Sequence, residues 1–179
     1  RGAAALADGP RPQPVGEIPL EEYLETGKTY LDPNSELTLC ATALAITDAG
    51  LDIDNDLALT LGMSFGTRLG NVATTESYLK RVREQGVKLA SPLLFIHAYP
   101  NTSVSLAAIE FAVRGTSFNF NSGRWAGLQA LVQSSDELRR GEMTVMLAGA
   151  ADTYTEISRP AAVDKAFSGA VTLVLERAD

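Results

Sequence analysis

The residues whose types and spacing could do chemistry lie around a sharp turn at Ser122-Gly123. Before the turn, Phe118–Asn121 alternate aromatic and amide side chains, which is the period-two pattern of a strand. After it, apolar residues recur at helical spacing through Trp125–Leu138. Arg124 therefore follows a strand and precedes a helix, where many enzymes place a nucleophile because a helix N-terminus favours negative charge. A guanidinium at this place is a cation and cannot attack an acyl group.

Other reactive groups are few in this sequence. The single cysteine, Cys40, lies on the apolar face of a predicted helix, where a free thiol is more often a core residue than a nucleophile. The single histidine, His97, lies in an apolar segment and is interpreted as a core or interface residue. Ser122 has no histidine near it in sequence, so its hydroxyl is expected to cap the helix. One cysteine allows neither an internal disulfide nor a metal cluster, and no cofactor is expected.

Length and composition bound the class of protein. A chain of 179 residues with 45% apolar and 21% charged residues suits one domain with a real core. The net charge is −7, and the sequence has no basic patch with interleaved aromatic residues, so no nucleic-acid partner is expected. No apolar run approaches the ~18 residues needed to span a membrane. Because residues 1–15 also lack the order of a signal peptide, we expect a cytoplasmic protein without a membrane partner.

Several elements must position the turn at Arg124. Residues 1–15 are rich in Ala, Pro and Gly without periodicity, which predicts a flexible arm before a domain at residues 16–179. Local capping signals and apolar periodicity then predict helices and strands in alternation. They are a helix from Leu37 to Asp48 capped near Asp32 and ended by Gly50, a strand at Leu57–Met63, a charged helix at Thr74–Gln85, a helix capped by Asn101, a strand at Glu142–Ala150 and a strand at Phe167–Glu176.

Four motifs in order resemble the first half of the β-ketoacyl synthases, the condensing enzymes of fatty acid and polyketide synthesis. They are Ala108-Ile109-Glu110-Phe111 with Arg114-Gly115, Ser122–Gly127, Gly127-Leu128-Gln129-Ala130, and Arg139-Arg140-Gly141-Glu142 followed by Val145–Asp152. In that family the strand leads into Thr-Ala-Cys-Ala-Ser-Gly, whose Cys is acylated, and Arg124 falls at that Cys. The resemblance implies an α/β, thiolase-like half-fold, a βαβαβ unit of layered sheet and helices that is incomplete without a partner.

The resemblance also implies that catalytic parts are missing. Ketosynthase chemistry needs an acylated thiolate, two basic side chains from the second half of the fold, and a backbone oxyanion hole. Here Arg124 replaces the thiol, and this sequence does not contain the half that carries the basic pair. No catalytic residue is therefore predicted, and the chain by itself is expected not to be an enzyme.

Interface and pocket candidates follow from the same resemblance. Members of the family dimerise by pairing the strand before the nucleophile with its counterpart, which makes Phe118, Asn119, Phe120, Asn121 and Ser122 interface candidates. The pocket candidates are Arg124, Trp125 and Tyr99. Trp125 is expected to fill the space through which an acyl chain enters in the family. Phe118 and Phe120 are expected to pack on the adjoining helices, because alternate residues of a strand share a face.

Three hypotheses remain open at this point. The leading one is a non-catalytic subunit that pairs with a complete β-ketoacyl synthase, as the chain length factor does in this family, with acyl carrier protein as a further partner. The second is a self-associating module, for example a homodimer, that binds an acyl chain or a carrier protein without condensing activity. The third is an enzyme of other chemistry that uses Arg124 to bind an oxyanion or a carboxylate. In a plainer version of the first two, Arg124 merely forms a salt bridge.

Overall fold

The computed structural model describes residues 19–156, 158 and 168–177, so the arm predicted at residues 1–15 lies outside the described residues. The described chain contains a four-stranded sheet with the order β2-β1-β3-β4. Its strands are β1 (Leu61–Gly66), β2 (Ser117–Phe120), β3 (Val145–Asp152) and β4 (Gly169–Glu176). β1 pairs in parallel with β2 and with β3, whereas β4 pairs antiparallel with β3. The α/β class expected from the resemblance is confirmed.

Helices connect and cover these strands. Among the described residues they are α1 (Pro33–Ala49), α2 (Asn55–Thr60), α3 (Val72–Gln85), α4 (Pro92–His97), α5 (Thr102–Glu110) and α6 (Ala126–Arg140), with 3-10 turns at Leu20–Glu22, Val87–Leu89 and Gly123–Trp125. Helices α3, α4 and α5 lie between the parallel strands β1 and β2, and α6 lies between β2 and β3. This order is that of βαβ units, in which helical crossovers join parallel strands.

Alternate residues of β1 show which helices cover which face of the sheet. Phe65 belongs to the same buried cluster as Leu39 of α1 and Val104 of α5, so these two helices cover one face. At the next residue, Gly66, an added Cβ would lie 2.2 Å from the backbone of Ala126, so α6 covers the opposite face. The described chain is therefore a three-layer unit with the sheet in the middle.

The first helix is capped by Asp32 and ended by Gly50 as predicted, but it begins at Pro33, four residues before the predicted Leu37. The Oδ1 atom of Asp32 accepts a hydrogen bond of 2.8 Å from the backbone N–H of Asn34, and Gly50 ends α1 in the left-handed conformation with φ of 62°. The other oxygen of Asp32 accepts a 2.8 Å bond from the backbone N–H of Thr74 in the first turn of α3. Asp32 is fully buried, and this burial raises the pKa of its carboxyl above the ordinary 3.8 despite both backbone hydrogen bonds. One carboxylate therefore caps two helices.

The predicted strand at Leu57–Met63 and the predicted cap at Asn101 are wrong. The apolar run Leu57–Met63 is not one strand, because α2 occupies Asn55–Thr60 and β1 begins only at Leu61. The cause is a helix cap: Asp54 Oδ1 accepts from the backbone N–H of Leu57 at 2.8 Å and starts a helical turn inside the apolar run. Asn101 precedes α5 as predicted, but its side chain makes no capping hydrogen bond.

Candidate functional site

Arg124 lies where the sequence places it, between β2 and α6. The 3-10 turn Gly123–Trp125 joins the two elements, and Gly123 has a φ of 72°, which a residue with a side chain rarely adopts. Arg124 is exposed, and no salt bridge to its guanidinium is found among the described residues. The plainer interpretation, in which Arg124 serves only to form a salt bridge, gains no support within this part of the chain.

Close backbone packing fixes the start of α6 against the sheet. A Cβ on Gly66 would lie 2.2 Å from the carbonyl carbon of Ala126 and 2.4 Å from the nitrogen of Gly127. A Cβ on Gly127 would in turn lie 3.0 Å from the Cβ of Ala150 on β3. Glycine at these places lets the helix N-terminus rest directly on the ends of β1 and β3. The position of Arg124, two residues before α6, is therefore set by backbone contacts.

The predicted role of Ser122 as a helix cap is wrong. Its hydroxyl contacts the side-chain oxygen of Gln129 on α6, and the residue before α6, Trp125, makes no side-chain capping bond either. The serine hydroxyl donates to this side-chain oxygen and makes no hydrogen bond to the helix backbone among the described residues. Among the described residues at this turn, neither a thiol nor a serine–histidine pair is available as a nucleophile.

The pocket candidates do not converge. Trp125 is 63% exposed and Tyr99 is 48% exposed. The ring of Tyr99 packs edge-on against Phe95 with 5.0 Å between centroids, and Phe95 packs in turn against Tyr78 at 5.5 Å. Tyr99 therefore belongs to an aromatic group on α3 and α4. The predicted filling of an acyl entrance by Trp125 stays a prediction, since that indole is largely open to solvent in this chain.

The interface candidates lie on and just after an edge strand. In the described sheet, β2 pairs with β1 alone, so its outer edge is open. Asn119 is in register with Phe65, on the side of α1 and α5, which puts Phe118 and Phe120 on the side of α6. The two phenylalanines thus share a face, and both are half-buried rather than fully buried. Asn121 and Ser122 follow the strand and are exposed. Their pairing with a partner strand stays a prediction.

Sequence analysis missed Asp152, which organises the loop after β1. Its Oδ1 atom accepts hydrogen bonds from Thr67 Oγ1 at 2.9 Å, from the backbone N–H of Arg68 at 2.8 Å and from that of Leu69 at 3.1 Å. The Thr67 hydroxyl accepts a further bond of 2.8 Å from the N–H of Gly70. The carboxylate at the end of β3 thereby fixes the loop at the end of β1. The signal for it was an acidic residue at the end of a buried strand.

The single cysteine and histidine are core residues, as predicted. Cys40 is 6% exposed, and burial, assisted by the negative charge of Glu36, raises the pKa of its thiol to about 11. A thiol with this pKa is protonated near neutral pH and is a poor nucleophile. His97 is 8% exposed, and its backbone carbonyl accepts a 2.8 Å bond from the side chain of Asn71. No group of three metal-ligating side chains occurs within the residues that the structure describes.

Comparison with known proteins identifies the family. The family model "Beta-ketoacyl synthase, N-terminal domain" matches residues 21–172. The chain therefore belongs to the β-ketoacyl synthase family and corresponds to its N-terminal domain. Nodulation protein E of Rhizobium leguminosarum bv. trifolii is 27% identical over 139 residues, which cover 78% of this chain and 33% of that protein. The chain thus spans about a third of the length of this curated relative.

Solved structures share the fold. "The ishigamide ketosynthase/chain length factor" matches with a TM-score of 0.76 and 19% identity, covering 95% of this chain and 52% of that one. A type II polyketide synthase acyl carrier protein in complex with its ketosynthase bound to the hexaketide matches with a TM-score of 0.73 and 21% identity, covering 82% of this chain and 47% of that one. These likenesses confirm the thiolase-like half-fold. Separately, no helix in the described ranges is long and apolar enough to cross a membrane.

Proposed function

We propose that this chain is a non-catalytic ketosynthase-like subunit that pairs with a complete β-ketoacyl synthase in polyketide or fatty acid biosynthesis. In this role it stabilises the synthase and shapes or closes its acyl tunnel, and acyl carrier protein is a further partner. The observation that carries the proposal is Arg124, an exposed cation in the turn between β2 and α6. The resemblance aligns this residue with the acylated cysteine of the family. A guanidinium cannot form a thioester, so the contribution of this subunit is to the site of its partner.

Apolar surface on α6 supports the need for a partner. Trp125, Leu128 and Val132 follow the i, i+3, i+7 spacing of one helix face, and they are between 55% and 63% exposed. A row of large apolar side chains on a soluble domain is a feature of protein interaction sites. Because Trp125 adjoins Arg124, a partner that covers this row also covers the turn.

The last strand extends this surface. Val171 and Leu173 on β4 are 55% and 43% exposed, and they pair with Ala150 and Ala148 of β3. Ala150 contacts the start of α6, so these strand residues lie on the same side of the sheet as that helix. The α6 side of the unit therefore presents apolar groups from two elements. The open edge of β2 is a further surface that we expect a partner to cover, since uncovered edge strands promote aggregation.

The related structures supply the kind of partner. One is named as a ketosynthase with a chain length factor, and another is named as an acyl carrier protein in complex with its ketosynthase. In the proposal, this chain takes part in assemblies of the same kind. The cytoplasmic location and the absence of a cofactor stay predictions.

The alternative is a self-associating module that binds an acyl chain or a carrier protein. The open edge of β2 favours it, because two copies of one strand can pair across a twofold axis as readily as two related chains. The two functions differ in what the isolated chain does. The alternative requires a stable homodimer that binds acyl ligands, whereas the proposal requires a second, different chain.

Co-expression tests the proposal. The chain is produced alone and together with a tagged complete β-ketoacyl synthase, and the mass of each species is measured by size-exclusion chromatography with light scattering. We expect a complex of one copy of each chain, and we expect Arg124→Ala to leave its mass unchanged, since Arg124 is exposed. A chain that stays monomeric with every synthase tested would overturn the proposal. A homodimer that binds a fatty acyl analogue tightly would support the alternative instead.

A further inference from the structure

A buried polar network joins three helices on the side of the sheet opposite α6. Its members are Asn34 and Ser35 of α1, Asn71 before α3 and Ser103 of α5, each between 0% and 3% exposed. Ser103 Oγ donates to Asn71 Oδ1 at 2.9 Å, and the hydroxyls of Ser35 and Ser103 lie 3.0 Å apart. Buried polar groups of this kind are costly unless each has a partner. Each polar group of this network therefore needs a hydrogen-bond partner.

A backbone carbonyl fixes the orientation of both asparagine amides in this network. The side-chain nitrogen of Asn71 must donate to the carbonyl of His97, at 2.8 Å, because a carbonyl can only accept. Its Oδ1 atom is then the acceptor toward Asn34 and Ser103. Asn34 must consequently turn its nitrogen to Asn71 Oδ1, at 3.4 Å, and to Ser103 Oγ, at 3.3 Å. The reversed amide would set two acceptor oxygens against each other.

This orientation leaves one acceptor without a donor. Asn34 Oδ1 is buried and has no hydrogen-bond partner among the described residues. Asn34 also lines a pocket with about 180 Å³ of empty space, part of which is open to solvent. The other polar lining residues are Thr38, Thr67, Ser103 and Asn119. No hydrogen bond to the side-chain amide of Asn119 is found within the described ranges either.

We propose that this pocket is a hydration site, in which an ordered water donates to Asn34 Oδ1 and bonds the side-chain amide of Asn119. Water has the required chemistry, because it supplies the missing donor and can accept from an amide at the same time. The enclosed part of this pocket has room for about one water, and Asn34 and Asn119 offer it polar partners, of which a buried water needs roughly two to four. Every residue that lines the pocket is neutral, so an ion would be desolvated there without a counter-charge.

The water connects the helix layer to the edge strand. Asn34 belongs to α1, whereas Asn119 lies on β2, five residues before Arg124. Without the water, the described contacts join the Asn119 side chain to none of the polar groups of the network. The site thus links a rigid buried network to the strand that leads into the turn at Arg124.

Nuclear magnetic resonance of the isotope-labelled 179-residue chain tests this inference. We expect negative nuclear Overhauser cross-peaks from water to the side-chain NH₂ groups of Asn34 and Asn119, the sign of a water that stays bound longer than the protein tumbles. In Asn119→Ala the cross-peak at Asn34 should be lost. The matched control is Asn121→Ala, an exposed amide that does not line the pocket, and it should retain the cross-peak.

A crystal structure of the unaltered chain gives a second measurement that needs no variant to fold. It should show a water oxygen at hydrogen-bond distance, roughly 2.7–3.2 Å, from Asn34 Oδ1. A dry pocket, or a molecule other than water bound in it, would overturn the inference. Equal loss of the cross-peak in Asn119→Ala and Asn121→Ala would overturn it too, because the effect would then not come from the pocket.

Discussion

At the scale of single residues, the proposed non-catalytic role rests on Arg124. Its guanidinium occupies the turn before α6, and the described residues around it offer neither a thiol nor a serine–histidine pair in its place. Catalysis by the family needs more than a thiol, because the resemblance implies that a basic pair from the second half of the fold promotes decarboxylation. Restoring the thiol alone should therefore not restore the condensing reaction.

Arg124→Cys tests this argument. We expect the isolated variant to form no elongated product from acyl and malonyl thioesters, because the thiolate has neither the basic pair nor a partner site. The measurement is product analysis together with the intact mass of the protein, and Arg124→Ala is the control for loss of the charge alone. Elongated product from Arg124→Cys by itself would contradict the non-catalytic interpretation of this chain.

Cys40 gives a prediction about stability and pH. The folded state raises the pKa of its thiol from 9.0 to about 11, so the folded chain holds this proton at pH values where the unfolded chain releases it. Stability from this group is therefore fully present below pH 9.0 and declines as the pH rises toward about 11. Urea unfolding midpoints from pH about 8 to about 10.5 should fall more steeply for the unaltered chain than for Cys40→Ala. Parallel curves would contradict this.

Predictions about single residues were correct where the neighbouring residues in the sequence determine burial or capping. The burial of Cys40 and His97 follows from their apolar neighbours in sequence, and the cap at Asp32 follows from its place before Pro33. An acidic residue at the end of a buried strand marked Asp152, but its three partners in the loop after β1 could not be foreseen, because they lie more than 80 residues away in the chain. The predicted cap at Ser122 was wrong because the geometry of the folded turn brings its hydroxyl to the side chain of Gln129 and not to the helix backbone.

Gly66 carries a prediction at the scale of elements. Only a hydrogen on its Cα fits between the end of β1 and the start of α6, because an added Cβ would approach the Ala126 backbone to 2.2 Å. Gly66→Ala should destabilise the chain by about 1–3 kcal/mol, as overpacking against rigid backbone usually does. The matched control is Gly27→Ala, where nothing lies within 4 Å of the new atom.

Urea unfolding of both glycine variants measures the difference. Equal stability of the two variants would mean that α6 can move away from β1 at little cost. In that case the position of Arg124 would not be fixed by these backbone contacts.

Elements were predictable where signals are local and strong. α1 has a cap, a proline at its first position and a left-handed glycine after its last, and the sequence alone locates it. The prediction of one strand at Leu57–Met63 was wrong because these apolar residues belong first to a short helix and then to a strand. The sequence signal for the helix is the cap at Asp54. The facing of Phe118 and Phe120 follows from strand periodicity, but the layer that each face meets depends on pairing with β1.

Assembly gives the prediction that belongs to the whole molecule. Phe120→Asp places a charge on the α6 side of the open edge strand, where the proposed partner would bury it, and this should abolish the complex with a β-ketoacyl synthase or render the chain insoluble. Arg83→Ala, on the exposed part of α3, should leave the complex intact. Light scattering of the unaltered chain and both variants, alone and with the synthase, measures the outcome. Normal assembly of Phe120→Asp would count against the partner-subunit function.

The double cap at Asp32 has a consequence for local unfolding. Its two oxygens hold the first amides of α1 and α3, and Thr74 lies 42 residues further along the chain than Asp32. Neither helix start can open without breaking a bond to the same buried carboxylate, so the two ends belong to one cooperative unit. In hydrogen exchange, the amides of Asn34 and Thr74 should therefore open with equal free energies, and Asp32→Ala should speed both together. Asp54→Ala, which removes a carboxylate that caps α2 alone, should speed exchange only at Asp56 and Leu57.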